Sequence, residues 1–122
     1  MKAEGSPHVL HPDALARRMS ELGVSTGTTV VTYDGGTGWL AARLWWVLRH
    51  SGHEDVRVLN GGWRRWVREG RPVSVDEVEV VPATFQARRN PSVIIELEEL
   101  RQKLGQESVQ VVNVLPPAMY RG

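Results

Sequence analysis

The sequence contains no cysteine. That absence excludes disulfides, Cys-based zinc sites and any thiol nucleophile supplied by the chain itself. No stretch of about 18 apolar residues occurs, so no transmembrane helix is expected. Charge of either sign is nearly balanced, with 15 Lys+Arg against 14 Asp+Glu and a net charge of +1. Nothing in that balance points to nucleic acid or an anionic membrane as a partner. The first ten residues carry one lysine and no apolar core, which is not the pattern of a signal peptide. A soluble cytoplasmic protein is the expectation. What is present, 122 residues with 41% hydrophobic content, suffices for one domain with a core, or one domain and the beginning of another.

Internal repeats and low-complexity tracts are also missing, and apolar spacing gives the order of elements. Residues 1–9, with Gly5, Ser6 and Pro7, enter as irregular chain. From His11 the pattern is helical. Pro12 suits the first helical position, Asp13 suits the first turn, and Leu15, Met19 and Leu22 share a face before Gly23. Thr28 to Tyr33 is β-branched or aromatic throughout and predicts a buried strand. A glycine loop follows, then a helix from Trp39 to His50 with Leu40, Leu44, Val47 and Leu48 on one side. Val56 to Leu59 predicts a second strand, Asn60-Gly61-Gly62 a turn, and Trp63 to Arg68 a short helix with Trp63, Trp66 and Val67 inward. This alternation argues for the α/β class, a parallel sheet with helices on its faces. The tryptophans on these helices predict a heavily aromatic helix-to-sheet interface. From Arg71 the texture changes. Residues 74–95, punctuated by Pro82 and Pro91, read as an extended connector. Ile95 to Leu104 resumes helical spacing, and Val109 to Val114 is a third strand-like run before Pro116-Pro117.

The glycine loop is the leading candidate site. Gly35, Gly36, Thr37 and Gly38 sit between a strand and a helix, where backbone N–H groups and the helix N-terminus can hold an anion or a developing negative charge. A tight turn without a ligand is the plainer reading. Asp34 stands at the mouth of that loop. A carboxylate there competes for the N–H donors and repels an anionic ligand, so a cap on its own loop is favoured over a general base. Gly36 to Ala41 also fits the dinucleotide pattern G-x-G-x-x-A. The acid that should follow the next strand is absent, and Trp39 is a poor neighbour for a pyrophosphate. The histidines form two i,i+3 pairs, His8/His11 and His50/His53, with no third ligand at hand; no metal and no cofactor is expected. Seven arginines from Arg43 to Arg71 could make a basic face near the loop, with Arg43 nearest to it in sequence, although solvated helix sides are the commoner outcome.

The segments Val30 to Gly35, Ala42 to Trp46, Gly52 to Trp66 and Glu69 to Val73 resemble the N-terminal domain of two-domain rhodaneses, the thiosulfate and 3-mercaptopyruvate sulfurtransferases. The string Val58-Leu59-Asn60-Gly61-Gly62 before an aromatic-rich helix is its most specific part. Pro82-Ala83-Thr84-Phe85 resembles the family's interdomain connector, and Ser108 to Gly122 the opening of the second domain. The resemblance implies a three-layer α/β/α rhodanese-like domain with a short parallel sheet. It divides the chain into a partial domain over 1–73, a connector over 74–95, and the start of a second domain over 96–122. The family domain begins with a strand and a Gly-His-Ile-type loop that this chain lacks, so a truncated member is expected. Active members transfer sulfane sulfur through a Cys at the strand tip, and Asp34 occupies that place here. A carboxylate cannot carry a persulfide, so the resemblance implies no catalytic residue.

Three functions follow as expectations. The first is a non-catalytic binding or scaffolding domain, a pseudoenzyme, holding a ligand or partner through Asp34, Gly35, Gly36, Thr37, Gly38 and Arg43. The second is a sulfurtransferase subunit or fragment whose Cys lies on another domain or chain. The third is a small anion- or nucleotide-binding module. The expected partner is a Cys-bearing rhodanese domain, or a second copy of the chain that receives Val109–Val114 by strand exchange; in-chain filling of the vacant strand slot is the alternative.

Overall fold

The computed structural model describes residues 11–121. Helix α1 (Pro12–Glu21) starts where Pro12 predicts, with His11 as N-cap, its Nδ1 accepting from the Asp13 amide. Strand β1 (Val30–Thr32) leads through the glycine loop to α2 (Trp39–His50). Strand β2 (Val56–Val58) leads through a turn to α3 (Gly62–Arg68). The two strands are parallel, pairing Val30 with Val56, Val31 with Arg57 and Thr32 with Val58.

Alternation along β1 separates two faces. Val30 and Thr32 turn toward α2, where the Thr32 hydroxyl donates to the Ala41 carbonyl at 3.0 Å. Tyr33, two positions from Val31, stacks on Trp63 of α3 at 6.0 Å. This is an α/β architecture with a short, two-stranded parallel sheet among the described residues. The core lies on the α2 side, where Leu15 and Met19 of α1 meet Val47 and Leu48 of α2, Val56 of β2 and Phe85.

Phe85 belongs to a strap rather than to a helix or strand. The last carbonyls of a helix lack intrahelical partners, and amides of residues 83–90 supply them. Ala83 N–H donates to Ser20 O (2.9 Å), Arg88 N–H to Ser51 O (2.8 Å) and Asn90 N–H to His50 O (2.7 Å). Phe85 N–H donates to the Ser20 hydroxyl at 2.9 Å, and the Trp46 indole to Val93 O at 3.3 Å. The close approach explains Gly52. It sits at φ +83°, and a Cβ there would lie 2.7 Å from the Arg88 carbonyl. A 3₁₀ turn (Pro91–Val93) ends the strap, and two further short helices follow, α4 (Leu97–Lys103) and α5 (Pro117–Tyr120).

Three expectations are corrected. Val109–Val114 is not a strand: it has no regular secondary structure, is mostly exposed, and pairs with neither β1 nor β2 among the described residues. β-branched alternation sets a local preference, but a strand forms only where a neighbour supplies the ladder. The tryptophans do not build a buried interface. Trp39 is 66% exposed and Trp45 remains exposed, because two three-residue strands offer too little sheet to cover them. The fourth helix starts at Leu97, not Ile95, since Glu96 is extended at φ −79°, ψ 154°.

Gly52→Ala should destabilise the chain by about 1–3 kcal/mol, from the left-handed backbone and the clash with the strap. Gly35→Ala, with nothing near its missing Cβ, should change stability little. Phe85→Ala should cost about 3 kcal/mol or more, since the ring is 5% exposed within the core. Urea denaturation of the three variants checks this order.

Candidate functional site

The tip of β1 and the N-terminus of α2 build the site. Asp34 follows the strand and its carboxylate turns back over the loop. One oxygen, Oδ1, accepts from Gly36 N–H at 2.8 Å and from Gly38 N–H at 3.1 Å. The other, Oδ2, accepts from Ala41 N–H at 3.1 Å. Ala41 is the third residue of α2, so Asp34 also caps a helix whose own N-cap, Gly38, has no side chain to do so. The negative charge lies where the helix dipole favours it.

These hydrogen bonds hold the Asp34 carboxyl below its ordinary pKa. The Ala41 amide contributes most and the Gly36 amide next, with partial desolvation opposing them. A lowered folded-state pKa means that the charged carboxylate stabilises the fold above the ordinary carboxylate range. That contribution is lost as pH falls through the lowered value.

The second strand–helix unit locks the loop from the other side. Trp63 N–H donates to the Asp34 carbonyl at 3.1 Å, and Arg64 Nε to the Gly35 carbonyl at 3.0 Å. Gly62 permits the approach: a Cβ there would lie 2.9 Å from the Asp34 carbonyl. The Asn60-Gly61-Gly62 turn is therefore a partner of the Asp34 loop, a role that its sequence flagged only through its specificity.

Asp34, Gly35, Gly36 and Thr37 line one open groove, and the exposed Trp39 and Leu40 complete its wall. Gly38 contributes its amide. Arg43 lies further along α2, exposed, and does not line the groove. Sequence reasoning passed over the Ala41 amide, Arg64 and the Trp39–Leu40 wall. The only available signal was the position of these residues within the first turns of α2 and α3. A second cleft, beside α3, holds Glu69 between Arg65 (2.6 Å) and Arg71 (2.7 Å), which lower the Glu69 pKa, Arg65 first.

The other candidates disperse. His53 is buried and packs against Phe85 with ring centroids 5.5 Å apart, whereas His50 stacks on Trp46 at 5.4 Å. No cluster of three or more metal-ligand side chains occurs among the described residues. His8 lies outside the described residues. The amides of Gly36, Gly38 and Ala41, which a pyrophosphate would need, are already bonded to Asp34. No helix among the described residues is long and apolar enough to cross a membrane.

The rhodanese-like domain family matches residues 2–69. This chain belongs to that family. It is 38% identical to thiosulfate sulfurtransferase of Gallus gallus over 107 residues, covering 85% of this chain and 37% of that protein. It is 36% identical to 3-mercaptopyruvate sulfurtransferase of Homo sapiens over 109 residues, covering 88% of this chain and 37% of that protein. The crystal structure of SseA from Escherichia coli, a 3-mercaptopyruvate sulfurtransferase, superimposes with a TM-score of 0.81 at 31% identity, over 94% of this chain and 45% of that one. The chain thus spans less than half the length of these rhodanese relatives.

Asp34→Asn replaces one acceptor oxygen by a donor and removes the charge. The stability difference between the parent and this variant should be largest above the ordinary carboxylate range and shrink as pH falls below it. Thermal denaturation across acidic to neutral pH measures this, and a constant difference would show that the carboxylate charge does not contribute.

Proposed function

We propose that this chain is a non-catalytic rhodanese-like domain that acts by binding, docking a Cys-bearing rhodanese domain at the Asp34 groove. The supporting observation is the amide cradle itself. Rhodanese chemistry needs a thiolate where those N–H groups converge, and here they converge on a carboxylate. An Asp oxygen forms no persulfide, so sulfane sulfur cannot pass through residue 34. What stays available is the rim: Tyr33, Trp39 and Leu40 are exposed around the filled cradle, and apolar and aromatic side chains of this kind anchor protein interfaces.

A second reading rests on the coverage. The match to the chicken thiosulfate sulfurtransferase takes in most of this chain and 37% of that protein. On that reading the chain is the non-catalytic part of a thiosulfate or 3-mercaptopyruvate sulfurtransferase, and turnover depends on a Cys held by another domain or chain. Both readings use the same docking face. They part on one readout, the appearance of sulfur transfer when the partner is added.

The pure chain should transfer no sulfur from thiosulfate or mercaptopyruvate to cyanide, and turnover by the chain alone would overturn both readings. Titrating an isolated Cys-bearing rhodanese domain into the chain should give saturable heat. Trp39→Ala with Leu40→Ala should weaken that binding by about tenfold or more, with the melting temperature unchanged. Asp34→Cys probes the cradle directly. Its thiol should titrate below about 8.5, because the amides that hold the carboxylate would stabilise a thiolate. An ordinary thiol pKa would show that the cradle exerts no such pull.

A further inference from the structure

We propose that Arg64 is the positioning residue of the Asp34 loop: it selects which side of the Gly35–Gly36 peptide faces the carboxylate. This goes beyond the docking of a Cys-bearing domain and holds whether or not a partner binds.

The C=O of Gly35 and the N–H of Gly36 belong to one planar peptide unit and point in opposite directions. A different charged side chain holds each end. The N–H donates to Asp34 Oδ1 at 2.8 Å, and the C=O accepts from Arg64 Nε at 3.0 Å. The peptide before it is held too, since the Asp34 carbonyl accepts from Trp63 N–H at 3.1 Å. Two consecutive carbonyls of the loop are therefore fastened by two consecutive residues in the first turn of α3. Arg57, Arg65 and Arg71 are engaged by Asp55 and Glu69, whereas Arg64 is exposed and makes no ion pair among the described residues. Its bond to the Gly35 carbonyl has no carboxylate to compete with.

The loop has a second state within reach. Reversing the Gly35–Gly36 peptide turns ψ of Gly35 and φ of Gly36 together. The same motion converts a type I turn into a type II turn and carries the second central residue to positive φ. Glycine makes that reversal cheap. Yet neither Gly35 nor Gly36 has positive φ here, and a Cβ on Gly36 would meet only Asp34 Oδ1, at an ordinary 3.6 Å. The observed backbone thus does not itself demand glycine at 35 or 36. In the reversed state the Gly35 carbonyl, not the Gly36 amide, faces the carboxylate, and a donor is exchanged for a repelling dipole. Arg64 disfavours that state, because its guanidinium would lose a charge-assisted bond. It works from the side of the peptide opposite Asp34, so it sets the donor without touching the carboxylate.

Arg64→Met removes the guanidinium and keeps an apolar stem. Amide exchange by NMR should show Gly36 N–H losing protection about tenfold or more, as expected for a lost bond to a charged group. Leu59 N–H, bonded to Thr32 O across the sheet, should be unchanged. The Asp34 carboxyl should titrate closer to its ordinary value, since the Gly36 amide is one of those that lower it. Loss of a nearby positive charge would give that last change as well, so a rescue separates the two. Adding Gly36→Ala, whose methyl the observed backbone accepts and the reversed one resists, should restore protection at residue 36 and the lowered carboxyl without restoring any charge. Equal protection of Gly36 in the parent and in Arg64→Met overturns the proposal. So does a failed rescue, or a loss of protection that extends to Leu59.

Discussion

Three main-chain amides converge on the Asp34 carboxylate, and the arrangement of the sheet's C-terminal end follows from that convergence. Gly36 and Gly38 fold the loop so that their N–H groups face inward, and Ala41 adds the first turn of α2. The carboxylate satisfies donors that would otherwise lack partners at a helix start. It also supplies a negative charge at the positive end of the helix dipole. Because the backbone of Asp34 and Gly35 is bonded in turn to Trp63 and Arg64, the cap on α2 also positions α3. The ring of amides is thus filled by a side chain of the same loop.

A second constraint operates at the opposite ends of the helices. The strap closes the carbonyl ends of α1 and α2 with its own amides and seals the core with Phe85. Two three-residue strands cannot enclose a core alone. The irregular segment thus does work that a larger sheet would otherwise do, and Gly52 is the residue that lets it come close enough.

Local patterns carried most of the fold. Pro12, the β-branched run into Tyr33, the glycine loop and the Asn60-Gly61-Gly62 turn each marked an element boundary within a few residues, because helix starts and tight turns are set by neighbours in sequence. The candidate loop was legible for the same reason: Asp34 and the amides it holds lie within eight residues of one another. What escaped was non-local. Nothing near Phe85 in sequence shows that it joins the core from an irregular segment, and nothing near Arg64 shows that it reaches Gly35. Val109–Val114 was misread for a related reason. Its composition describes what the segment could pair with, whereas forming a strand requires a ladder that the described residues of one chain do not provide. The aromatic helices were likewise read as buried on the assumption of a sheet wide enough to cover them.

The strap is fastened at Ala83, Phe85, Arg88 and Asn90, all before the C-terminal arm begins. A tug on that arm therefore loads those anchors, which share the strain among the last turns of two helices. The Asp34 loop lies at the far end of α2, so the strap's anchors and the ring of amides hold opposite ends of one helix and share no hydrogen bond among those described.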